Sequence, residues 1–118
     1  MAAFYCQQAA NALGMPYAVV CAQNLTESSY GQDTGPSSAD AMGPWQFEPA
    51  TWAEFSSYPF SEAASWPVAT QAYIAYMKAL LHQYGGNIRM ALAVYNAGPG
   101  NWQAGLGYAD QILRIAGQ

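Results

Sequence analysis

Of the seven Asp and Glu residues in this chain, Glu27 has the setting best suited to acid–base chemistry. It closes an apolar segment running from Pro16 to Leu25, in the run Thr26-Glu27-Ser28-Ser29-Tyr30. Val19, Val20, Cys21, Ala22 and Leu25 precede it and Tyr30 follows. Apolar surroundings desolvate a carboxyl and raise its pKa, so it keeps its proton near neutral pH and can act as a general acid. A helix C-terminus, with its partial negative charge, pushes the same way. Taken alone, the position reads first as a solvated helix-end glutamate. Two further stretches reverse that reading by adding groups fit to bind a polar substrate: Met42-Gly43-Pro44-Trp45-Gln46-Phe47-Glu48-Pro49-Ala50-Thr51-Trp52 and Ala93-Val94-Tyr95-Asn96-Ala97-Gly98-Pro99-Gly100. They supply the Gln46 amide, the Trp45 ring, a second carboxylate at Glu48, and the Tyr95–Asn96 pair. Ser37, Ser38, Asp33 and Asp40 lie in the intervening Ser- and Gly-rich stretch. Gly43, Gly98 and Gly100 read as backbone-shape residues.

These groups must be held by helices. Residues 3–13 are rich in Ala and Gln and predict a helix stopped at Gly14. Pro16 suits the first turn of a second helix ending near Ser28, which carries Glu27 in its last turn. Residues 29–43 predict a loop, Pro49 to Phe55 a short helix, and 56–66 another loop. From Pro67 to Tyr84, Val68, Ala72, Tyr76, Leu80 and Tyr84 recur at helical spacing, with Ile74, Met77 and Leu81 widening the apolar face. Gly85-Gly86 ends that helix, and Asn87 caps the next, Ile88 to Asn96. A last helix spans about Tyr108 to Ala116. Strand signals are weak throughout. The expected fold is a compact all-α domain, one unit over residues 1–118, with a substrate cleft formed by loops and helix ends.

Composition narrows the function. Hydrophobic residues make up 53% of the chain and charged ones only 8%, against roughly 25% charged in average globular domains. A surface of amides, hydroxyls and aromatic rings suits carbohydrate. The net charge of −4, with only Lys78, Arg89 and Arg114 basic, argues against nucleic acid and against an anionic membrane surface. No apolar run approaches a transmembrane span. The first residues carry neither a basic start nor an apolar block, so no signal peptide is expected in this chain. Cys6 and Cys21 flank the turn at Leu13-Gly14-Met15-Pro16 almost symmetrically. In a helical hairpin both would sit roughly 11 Å from the bend at 1.5 Å per residue. A disulfide and a pair of buried thiols are both compatible with that. Two Cys and one His, His82 on the long helix, form no metal-site pattern. Asn24-Leu25-Thr26 matches a glycosylation sequon but falls inside the second helix.

The three stretches in this order resemble the lytic transglycosylases, lysozyme-like enzymes that cut bacterial peptidoglycan. The likeness covers nearly all of the chain. Glu27-Ser28 matches the family's Glu-Ser, whose Glu is the sole acid and base. Ala41-Met42-Gly43-Pro44-Trp45-Gln46 matches a Gly-Ala-x-Gly-x-x-Gln stretch, with Asp40 where the first Gly is usual. Ser37, or Ser38 one step away, takes the place of a loop Ser that contacts substrate. Gln46 matches a cleft amide, Pro49-Ala50-Thr51 a Pro-x-Thr helix start, and Tyr95-Asn96-Ala97-Gly98 a Tyr-Asn-Ala-Gly signature whose Tyr lies beside the Glu. Pro44-Trp45-Gln46-Phe47 and Thr51-Trp52 look most like actinobacterial and phage members. The resemblance implies cleavage of the MurNAc-β-1,4-GlcNAc bond with closure of a 1,6-anhydro ring, no cofactor, peptidoglycan as partner, a monomer, and an extracytoplasmic place of action. Trp45 is the foremost candidate for stacking on sugar, Trp102 the second, and Tyr30 is a further substrate contact. One departure stands out: Glu48 occupies a position where many transglycosylases have Met and goose-type lysozymes keep an acid that positions water. Hydrolysis assisted by Glu48 or Asp40 is therefore an alternative, and a non-catalytic glycan-binding domain is a second.

Overall fold

The computed structural model describes residues 1–37 and 40–118. Six α-helices carry it: α1 (Ala2–Leu13), α2 (Tyr17–Ser28), α3 (Pro49–Phe55), α4 (Trp66–Gln83), α5 (Ile88–Ala97) and α6 (Leu106–Ile115). Two 3₁₀ segments, Phe60–Ala64 and Pro99–Gly105, lie in stretches expected to be loop or break. Among the described residues there is no strand, only one antiparallel bridge between Met42 and Phe47. Among the described residues no helix is long and apolar enough to cross a membrane.

The predicted punctuation works. Gly14 ends α1 at φ 67°, the left-handed turn a glycine accepts without strain. Pro49 opens α3 in its first turn. The Asn87 side chain accepts from the Met90 N–H at 3.0 Å and caps α5. The α1–α2 hairpin packs on α4, and α5 and α6 close the other side around one core. Its largest fully buried side chains include Trp45, Trp52, Tyr73, Met77 and Leu92. Two glycines permit backbone contact that no side chain would. A Cβ on Gly105 would lie 2.1 Å from the Ala93 carbonyl oxygen of α5, and one on Gly43 only 1.7 Å from that of Ala63.

The hairpin of α1 and α2 sets Cys21 near enough to Cys6 to add to the rise of its thiol pKa, as the symmetric spacing implied. Both are free thiols, so the candidate bridge is not formed in this structure. Burial pushes the Cys6 thiol well above its ordinary range.

Candidate active site

Glu27 sits in the last turn of α2, and the chain reverses just after it. Ser29, Tyr30 and Gly31 all have positive φ, at 52°, 60° and 84°. Ser28 organises this reversal: its hydroxyl accepts from the Gly31 N–H at 2.9 Å and donates to the Pro44 carbonyl at 2.7 Å. A hydroxyl has one proton, so the 3.4 Å approach to the Asn24 carbonyl is the weaker contact. The Asn24 amide also donates to Pro44 O, at 3.0 Å. Asn24 is fully buried, which removes the sequon from consideration.

The segment from Met42 to Phe47 is thereby tied to the helix that bears Glu27. Met42 and Phe47 exchange backbone hydrogen bonds of 2.9 and 3.0 Å, closing a tight turn. Tyr95 of α5 donates its hydroxyl to the Trp45 carbonyl at 2.6 Å. The Trp45 indole N–H donates to Thr70 of α4 at 3.0 Å, and its ring stacks on Tyr73 with centroids 3.8 Å apart. Gln46, at φ 52°, donates its amide to the carbonyls of Gly43 (3.0 Å) and Gly35 (3.5 Å). Three helices, α2, α4 and α5, thus grip one short loop, and that fixes the cleft wall beside Glu27.

The cleft that results has a volume of about 250 Å³ and is lined by Glu27, Ser37, Gln46, Glu48, Tyr95 and Asn96, together with Thr51 and Tyr76. All of the first six were expected from sequence. Ser38 lies outside the described residues. Thr51, at the start of α3, and Tyr76, on the face of α4 read as core, complete the wall. Tyr76 packs its ring against Phe55 and Tyr95, with centroids 4.8 and 5.1 Å away.

Three expectations are corrected. Trp45 has no exposed surface, so it offers no face to a sugar; it is the post that holds the loop. Trp102 is partly buried against the core and does not line the cleft. Tyr30, thrown outward by the left-handed turn, is 45% exposed and also off the cleft. Asp33 and Asp40 likewise do not line it; Glu48 is the carboxylate that shares the cleft with Glu27 among the described residues.

Electrostatics single out Glu27. Burial raises its pKa from 4.5 to about 7, against a lowering effect from the Tyr108 hydroxyl, which donates to its Oε2. The desolvating groups differ from those expected. Val19 and Val20, its neighbours in sequence, face the core. The tyrosines near enough to feel the Glu27 charge are Tyr73 of α4, Tyr95 of α5 and Tyr108 of α6. The resemblance places Tyr95 beside the Glu; its hydroxyl donates to the Trp45 carbonyl, and the hydroxyl that donates to Glu27 is that of Tyr108. Tyr108 is itself placed by a buried relay. The Tyr73 hydroxyl donates to Gln23 Oε1 at 2.5 Å, which turns the Gln23 amide nitrogen toward the Tyr108 oxygen at 3.4 Å. Nothing local marks Tyr108; the polar Gln23 on the apolar run of α2 was the available signal that a buried partner existed.

Such a site can hold a protonated carboxyl at neutral pH beside a groove of hydroxyls and amides. Among the described residues no group of His, Cys, Asp and Glu is arranged to hold a metal ion. The family model of the transglycosylase SLT domain matches residues 4–112. Among solved structures the chain is similar to the lytic transglycosylase Slt of Pseudomonas aeruginosa, determined as an inactive Glu-to-Gln mutant. The TM-score is 0.78 at 21% identity, over 96% of this chain and 23% of that one. The likeness shows that this chain shares the fold of the matching part of that lytic transglycosylase. This chain spans about a quarter of the length of that protein.

Proposed function

This chain belongs to the transglycosylase SLT domain family, and from that premise we propose that it cuts peptidoglycan glycan strands with Glu27 as the single general acid and base. The observation that carries the proposal is the burial of the Glu27 carboxyl, which holds its pKa at about 7. At neutral pH both protonation states are then accessible, as a group that must first give and then take a proton requires. Neutral Glu27 protonates the oxygen of the MurNAc-β-1,4-GlcNAc bond as that bond breaks. The substrate's own N-acetyl oxygen assists at the anomeric carbon, so no second carboxylate is needed. The Glu27 carboxylate, stabilised by the Tyr108 hydroxyl, next takes the proton of the sugar's C6 hydroxyl. That oxygen closes the 1,6-anhydro ring. Holding the hydroxyl next to the anomeric carbon makes the closure intramolecular and fast.

Ser37, Gln46 and Asn96 bind the sugar's hydroxyl and N-acetyl groups, and Tyr95 keeps the cleft wall in register through Trp45. The inactivity of the Glu-to-Gln mutant of Slt supports an essential glutamate in a fold of this kind. We further propose that the domain acts as a monomer outside the cytoplasm and needs no cofactor.

Glu48 supports a second reading. It is exposed and lines the same cleft as Glu27, and a carboxylate there could position a hydrolytic water, as in inverting glycosidases. Mass spectrometry of muropeptides from purified peptidoglycan separates the two. Fragments lighter by one water than hydrolytic ones carry anhydro ends and support the transglycosylase. Reducing-end fragments support Glu48-assisted hydrolysis. A folded protein that releases nothing would leave a glycan-binding domain.

A further inference from the structure

The cleft around Glu27 adjoins a second hollow of about 370 Å³. Glu48, Thr51, Tyr76, Tyr95 and Asn96 line both. Beyond these shared residues its walls are mostly carbon: Phe55, Ala79, Leu80, Val94, Ala97 and Pro99. Its remaining polar groups are Glu54 and Gln83, and no Lys, Arg or His lines it. The first cleft, with its serine, amides and hydroxyls, suits sugar rings, which carry a polar group on nearly every carbon. The second does not.

We propose that this adjoining groove receives the peptide stem of the substrate and that Glu54 at its edge favours stems bearing a free amine. The inference rests on the glycan-cleaving reading above. In the bond proposed for cleavage, the sugar whose anomeric carbon is attacked is also the one that carries the peptide. An arm that is not sugar must therefore leave the cleft close to Glu27, where this groove begins. A stem of alanines, a glutamate or its amide, and a diamino acid presents methyl groups, a polymethylene chain and an ammonium alongside its own carboxyl groups. The groove offers the matching surfaces: an aliphatic and aromatic wall, then a carboxylate. Burial, with the charges of Glu54 and Glu48 adding to it, pushes the Tyr76 phenol up to about 12, and both glutamates line the groove beside Tyr76. An ammonium seated there meets the Glu54 carboxylate and an aromatic face.

The test uses three preparations of glycan strand: stems with free amines, the same stems with amines acetylated, and strands stripped of stems by an amidase. The wild-type protein should cut amine-bearing strands with a kcat/KM roughly fivefold above acetylated ones, the size of a single charge contact at a partly exposed site. It should cut stripped strands most slowly. Glu54→Gln, at an exposed position, should bring the ratio of amine-bearing to acetylated rates close to one. Ala79→Trp, which narrows the groove from an exposed position on α4, should remove the advantage of stem-bearing over stripped strands. Equal wild-type rates on all three preparations, or an unchanged ratio in Glu54→Gln, would overturn the inference and leave the glycan-cleaving reading in place. Cleavage of none of the three would overturn that reading, and this inference with it.

Discussion

Replacing Glu27 with Gln should make the protein inactive and, above neutral pH, more stable. The buried carboxyl binds its proton more tightly in the folded chain, with a pKa of about 7, than at its ordinary value of 4.5. At 1.36 kcal/mol per unit, ionising it in place costs about 3 kcal/mol of folding free energy. The sign follows from proton linkage. Below about pH 4.5 the carboxyl is neutral in both states and the wild type bears no penalty. As pH rises toward 7 the unfolded chain ionises first, and folding stability falls. Above 7 the full penalty is present. The Gln variant cannot ionise, and its amide oxygen still accepts the Tyr108 hydroxyl, so its stability lacks this pH dependence. At roughly 4 °C per kcal/mol for a domain of this size, the melting temperature of Glu27→Gln relative to wild type should climb on the order of 10 °C between pH 4 and pH 8. Differential scanning calorimetry across that range measures it. A difference that stays constant from pH 4 to pH 9 would mean that Glu27 is solvated, and the argument for its acid role would fall.

Other outcomes follow from single contacts. Tyr108→Phe removes the bond that lowers the Glu27 pKa, so the alkaline limb of the pH–rate profile should move to higher pH. An unshifted profile would deny Tyr108 its positioning role. Gly43→Ala places a methyl 1.7 Å from the Ala63 carbonyl oxygen at φ 87°; a loss of roughly 3 kcal/mol or more in urea unfolding is expected. Oxidised glutathione should join Cys6 to Cys21, seen as the loss of two hydrogens in the intact mass. The bridge should raise stability by about 3 kcal/mol for a loop of this length. The reaction should be slow, because burial keeps the Cys6 thiol protonated.

What the sequence disclosed and what it concealed divide along a physical line. Proline and glycine fix φ or free it by their own covalent structure, so Gly14, Pro49 and Gly85-Gly86 marked helix boundaries that the fold keeps. The apolar run before Glu27 correctly announced a raised pKa. It did not say what encloses the carboxyl, because the enclosing tyrosines come from helices 46 to 81 residues further along the chain. The Tyr108 contact is of that kind, and no local pattern encodes it. The 3₁₀ segments at Phe60–Ala64 and Pro99–Gly105 were too short to show a period. Trp45 was misplaced for a different reason. An aromatic ring inside a substrate-binding stretch serves equally as a sugar platform or as a buried post, and only the ring of Tyr73 beneath it decides. Tyr30 turned outward because two non-glycine residues in a row take positive φ, which residue type does not forecast.

The relay from Tyr73 through Gln23 to Tyr108 has a direction, and the direction reaches the carboxyl itself. A phenol has a single hydrogen. With the Gln23 amide nitrogen already turned toward its oxygen, Tyr108 commits that hydrogen to Oε2 of Glu27. In the neutral acid Oε2 is then the carbonyl atom, and the mobile proton resides on Oε1. Two oxygens that are equivalent in free glutamate become distinct here, one an anchor and one a donor. The chain has therefore chosen the atom, and the side from which a leaving oxygen must approach it, before any glycan enters the cleft.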